Sequence, residues 1–158
     1  MAKNNYGQKQ SSQDLHLPKI STIFKSNWIS EGADSGMIKF AEEAGRALAD
    51  YDYVASNPQN KARDKYKLTT SQIRNVYSEI KRIQSRSYDN EVNRFYLLKP
   101  KVAYATARAT SSKGYGMDMF KEQIFDEAFQ YVKDAKTYEN FCNLMEAVLA
   151  YHRYYGGK

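Results

Sequence analysis

The sequence predicts an all-α protein, a single compact domain of about five helices with a flexible N-terminal arm. Three observations carry that prediction. Apolar residues recur at helical spacing in every long segment after Gly36, no stretch shows sustained period-two alternation, and polar start signals with Gly or Pro stops bracket the segments. At 158 residues the chain can bury one proper core but not two comfortable ones. The reading divides it into an arm, 1–30, and a helical domain, 31–158.

The elements follow in order. Met1 to about Asp14 is polar and aperiodic, the composition of a disordered tail. Apolar residues return between Leu15 and Ile29, but Pro18 and the Ser-Thr pair after it oppose a long helix. An extended arm with a short turn, anchored by Trp28 and Ile29, is expected there. Asp34 or Ser35 caps the next helix, whose stripe of Met37, Phe40, Ala41, Ala44, Leu48 and Tyr51 carries it to about Tyr53. Ala55 to Lys67 has four basic residues and no apolar period, so it reads as a flexible basic loop.

Thr69 with Gln72 three residues later is a capping-box pattern. The helix it opens has Ile73, Val76, Tyr77, Ile80 and Ile83 on one side and Arg74, Ser78, Lys81 and Ser85 on the other. That second row sets two cations among small hydroxyls over ~16 Å and suits a phosphate backbone. Asp89 then caps a helix bearing Val92, Phe95 and Tyr96, which stops or kinks at Pro100. A further helix restarts at Pro100 and carries Val102 and Tyr104, with Lys101, Ala105 and Arg108 on one face.

After a Ser/Gly loop at 110–116, a helix over 117–134 places Met117, Phe120, Ile124, Ala128, Tyr131 and Val132 on one face. Asp118, Glu122 and Asp126 form an acidic row that reads as a solvated face or a subunit contact. Thr137 caps the last helix, and Gly156 and Gly157 end it. Its apolar stripe includes Cys142 and His152, which read as packed core residues because neither has a partner of the kind nucleophilic catalysis requires.

Charge is concentrated. Residues 60–113 hold 13 Lys and Arg against 4 Asp and Glu, a balance of +9, whereas the flanking thirds are slightly acidic and the whole chain is only +6. Such a block is the electrostatic footprint of a polyanion surface. One cysteine excludes an internal disulfide framework, and two histidines give no zinc-ligand spacing. There is no Gly-rich phosphate loop, no Gly-x-Ser-x-Gly and no two-metal acidic cluster. No stretch approaches a membrane span or a signal peptide. The expectation is a cytoplasmic protein that is not an enzyme, with no cofactor, no catalytic or metal-binding residue, no membrane contact and no small-molecule substrate.

Three segments together resemble a known family: LTTSQIRNVYSEIKRI at 68–83, LLKPKVAYATAR at 97–108 and FCNLMEAVLAYHRYYGGK at 141–158. They are similar to the small subunit of the type III-A CRISPR effector, the Csm complex, and the resemblance runs from about Trp28 to the end. It implies a non-catalytic helical subunit, stacked in several copies beside a filament of backbone subunits and lining the channel where guide and target RNA pair, with the large subunit as another partner. By motif, Arg74, Lys99, Lys101 and Arg108 are the implied RNA-backbone contacts. Lys67, Lys81 and Arg82 join them on wheel position and charge. Two other classes compete: a helical DNA-binding regulator presenting Gln72, Arg74 and Asn75 to a major groove, and an adaptor whose basic block binds an acidic protein.

Overall fold

The computed structural model describes residues 19–49, 67–111 and 114–158; among them every regular element is helical and there is no strand. The polar tail, Leu15 and Leu17, the stretch around Tyr51 to Tyr53 and nearly all of the basic loop lie outside the described residues.

The elements are a single turn α1 (Asn27–Ser30), α2 (Ser35–Ala49), α3 (Thr70–Arg86), a 3₁₀ turn (Tyr88–Asn90), α4 (Val92–Ser111), α5 (Gly116–Phe120), a π-helical segment (Lys121–Phe125), α6 (Asp126–Phe129) and α7 (Ala135–Tyr154). Residues 19–26 precede α1 without helix, and Trp28 and Ile29 are buried as expected of an anchor. They are strapped down by polar contacts. The backbone N–H and hydroxyl groups of Ser21 and Thr22 donate to the Glu43 carboxylate, and the Ile20 N–H donates to Gln123 Oε1 at 2.8 Å.

Local chemistry sets the helix starts. Asp34 Oδ1 accepts the Met37 N–H at 2.8 Å and opens α2. At α3 the capping box is reciprocal: Thr69 Oγ1 accepts from the Gln72 N–H at 3.2 Å, and Gln72 Oε1 accepts from the Thr69 N–H at 2.9 Å. The α7 start differs from expectation. Asp134, not Thr137, is the N-cap, and Thr137 sits three residues inside as its reciprocal partner. An aspartate whose carboxylate accepts a backbone N–H outcompetes a hydroxyl for this role. At the other end of α7 the Gly157 N–H reaches His152 O at 2.8 Å and the Gly156 N–H reaches Arg153 O at 3.1 Å, with Gly156 at φ +90, which completes a Schellman stop.

Further expectations are corrected. The helices expected on either side of Pro100 are one continuous α4, and Asp89 belongs to the 3₁₀ turn rather than to a cap. Pro100 removes the donor for the Tyr96 carbonyl, but both residues are exposed, so the missing bond lies on the solvent side and the buried side of α4 keeps its ladder. The helix expected over 117–134 ends at Phe129 and contains the π segment. The wide turn shifts the phase by one residue, so Phe125 and Phe129 are buried in addition to Ile124 and Ala128, and ahead of it Met117, Met119 and Phe120 are buried as well. Tyr131, expected among them, is partly exposed and stacks on Phe24 at 6.2 Å. The acidic row is broken up as well. Asp118 accepts from Thr110 Oγ1 at 2.8 Å, where burial raises its carboxyl pKa, and Asp126 pairs with Lys121 at 2.6 Å.

The core is shared by all the long helices and has an aromatic centre. Phe95 of α4 stacks on Phe129 at 4.4 Å and meets Tyr88 and Tyr138 edge-on at 5.3 and 5.6 Å. The buried Tyr138 hydroxyl donates to Ile80 O at 2.7 Å and ties α7 to α3. Gly45 of α2 lies directly on α7: a Cβ there would fall 2.6 Å from both Val148 O and His152 N. His152 is 3% exposed, and its Nε2–H donates to Leu68 O at 2.6 Å. Cys142 is buried, and burial pushes its thiol up to about 12, so it is a core residue.

Candidate nucleic-acid interface

The 3₁₀ turn folds α4 back along α3, so residues 71–79 of one helix face residues 100–109 of the other across an open groove of about 1020 Å³. Arg74 from α3 and Lys101 and Arg108 from α4 all line it. Residues 34 positions apart in sequence are thereby brought to one surface. Ser71, Asn75 and Ser78 add neutral polar groups, and Ala105 and Ala109 leave the floor low.

The three cations are not equivalent. Lys101 pairs with Glu79 at 3.4 Å, and Arg94 binds the same carboxylate at 3.1 Å as well as Glu91 at 2.9 Å. The Glu79 side chain is only 12% exposed. Burial would raise its carboxyl, but the Arg94 hydrogen bond and the charge of Lys101 outweigh that and hold its pKa below the ordinary value, so it is ionised. Arg74 and Arg108 are exposed and make no ion pair among the described residues. The groove therefore presents three cations against one carboxylate, with the two arginines available to a polyanion.

The remaining four candidates do not line this groove. Lys81 leans the other way, to Glu146 of α7 at 3.7 Å, so the row Arg74, Ser78, Lys81 and Ser85 divides between two surfaces. Lys99 lies over the Phe129 ring, 5.4 Å from its centroid. Arg82 is exposed on α3 beyond the groove, and Lys67 is exposed just ahead of the Thr69 cap.

Sequence reading missed two groove residues. Glu79 was hidden because its partners are 15 and 22 residues away. Tyr104, expected with Val102 on the helix after Pro100 and given no role there, is 70% exposed and lines the groove. Its spacing held the signal, since it follows Lys101 by three residues and precedes Arg108 by four, the intervals that share a helix face.

A model of the Csm2 Type III-A family matches residues 38–158, a span that contains the whole groove. The chain belongs to this family. A relative from Streptococcus thermophilus, named CRISPR system Cms protein Csm2, is 35% identical over 97 residues, covering 59% of this chain and 77% of the relative. The family is that of the small subunit of the type III-A CRISPR complex, which is the resemblance the three sequence segments carry. No group of three or more metal-ligating side chains occurs among the described residues, and none of their helices is long and apolar enough to cross a membrane.

Proposed function

We propose that this family member is a non-catalytic subunit that lines the path of guide and target RNA in a type III-A complex, in antiviral defence, and holds the RNA by its backbone without reading its sequence. Several copies stack along the backbone filament, next to the large subunit. The observation that supports this most is the gathering of Arg74, Lys101 and Arg108 from two helices into one open groove, with both arginines unpaired among the described residues. Watson–Crick pairing carries the sequence information in a guided complex, so the protein needs cations at phosphate spacing and no base-reading set. Lys67, Lys81, Arg82 and Lys99 are secondary contacts in this reading, reached by RNA extending past the groove.

The test is a salt titration of target binding by the assembled complex with Arg74→Ala and Arg108→Ala. Each lost phosphate contact lowers the slope of log affinity against log salt by ~0.7 to 0.9. Slopes equal to wild type for the double variant would overturn the proposal. The DNA-regulator reading is weakened because Gln72, one of its three base-reading candidates, spends its side-chain oxygen on the Thr69 cap. Nuclease treatment during purification separates the adaptor reading, since an acidic protein partner survives it.

A further inference from the structure

We infer that the α3–α4 groove holds RNA as an unpaired strand, with the Tyr104 ring as the platform on which one base stacks. This rests on the reading of the groove as an RNA site and adds which form of RNA occupies it. A surface that touches only duplex backbone needs cations and small polar groups. An aromatic ring adds nothing there, because every paired base is already covered on both faces by its neighbours. An unpaired strand exposes base faces, and aromatic rings set among cations are the general means of binding it without sequence preference.

Tyr104 has the required setting. It is 70% exposed and makes no ring contact among the described residues, whereas Tyr96, the other exposed tyrosine of α4, leans on Phe95 at 5.5 Å. Lys101 and Arg108 stand about one helical turn to either side of it on the same face, and Arg74 lines the opposite wall. Glu79 occupies Lys101 at one end, so the phosphates flanking a stacked base fall to Arg74 and Arg108. The low floor at Ala105 and Ala109 leaves room beside the ring for the flat face of a base.

The experiment uses the full chain at low salt with three probes: a uridine oligonucleotide, the same strand paired with its complement, and the same strand with its bases removed but its phosphates kept. Tyr104→Ala should weaken binding of the intact single strand by roughly 5- to 100-fold and shift the duplex by no more than about twofold, while Tyr104→Phe restores wild-type binding. Base removal should cost the wild type the same factor and cost Tyr104→Ala little, a coupling that a merely structural role of the ring does not produce. Equal losses for Tyr104→Ala on intact and base-free strands, or no loss on either, overturn the inference. If Arg74→Ala with Arg108→Ala weakens all three probes while Tyr104→Ala changes none, the RNA site stands and the stacking platform falls. If no variant changes any probe, or the wild type binds none of them, the RNA reading falls with it.

Discussion

The seam between α2 and α7 and the groove between α3 and α4 are both helix pairs, yet one is shut and the other open. Ala41, Ala44, Gly45 and Leu48 of α2 are buried, and Gly45 lets the α7 backbone approach so closely that no Cβ fits. The buried faces of α3 and α4 meet in the core, but on their solvent side the facing residues include Arg74, Lys101, Tyr104 and Arg108, and among the described residues the Glu79 pairs to Arg94 and Lys101 bridge that surface at one end. Small residues bring helices together and supply stability. Long charged residues on the outer faces leave the surface between two packed helices open and supply a place for something else.

If that contrast is right, the largest effect comes from filling the seam. Gly45→Val drives branched carbons into Val148 O and His152 N, neither of which moves without α7, and should cost about 3 kcal/mol. In a chain of this size that lowers the melting temperature by roughly 6 to 12 °C, measured by circular dichroism.

Acid tests the same seam through His152. Burial disfavours its charged form and holds its pKa below 6.5, against the opposing pull of the Leu68 hydrogen bond. Between the two values the unfolded chain binds the extra proton and the folded one does not. Stability is therefore complete above about pH 7 and falls as pH drops through 6.5. Urea midpoints at pH ~7.5 and ~5.5 should differ in the wild type, and the difference should shrink in His152→Gln. A wild-type midpoint that does not move over this range would break the assignment.

On the groove side the effects on stability are small. Glu79→Gln removes the bridge at a cost of no more than about 1 kcal/mol, because Lys101 and Arg94 are half exposed and Arg94 retains Glu91. The same change should tighten binding of a polyanion, read by heparin retention, since it deletes the groove's single carboxylate. Smallest of all, Arg74→Ala or Arg108→Ala should leave the urea midpoint within about 0.5 kcal/mol of wild type. A larger loss would mean that the arginines hold the fold together and the groove is packing after all.

What could be read from the sequence follows the range of the interaction. The Thr69 and Gln72 box was legible because both partners and both N–H groups lie within four residues, and the apolar stripe of α7 because burial repeats with the helical turn. Pro100 misled because its cost depends on which side of the helix loses its donor, and that is a tertiary fact. The π turn over residues 121–125 has no local pattern that announces it. For the site, the sequence showed a basic block but not its sorting. That Arg74 and Arg108 meet in one groove, Lys81 turns to Glu146, and Lys101 shares Glu79 with Arg94 was decided by how α3 and α4 fold back on each other.

The wide turn at Lys121–Phe125 has a consequence for chain length. It accommodates one residue more than a regular helix of the same rise, and the surplus lets the neighbours Ile124 and Phe125 both be buried. Removing a single residue such as Gln123 would let the segment close into a regular helix with its flanks in nearly the same orientation, and would deprive the Ile20 amide of its acceptor. A homologue built with an uninterrupted helix here would therefore be one residue shorter, and would need a different partner for the strap that crosses it.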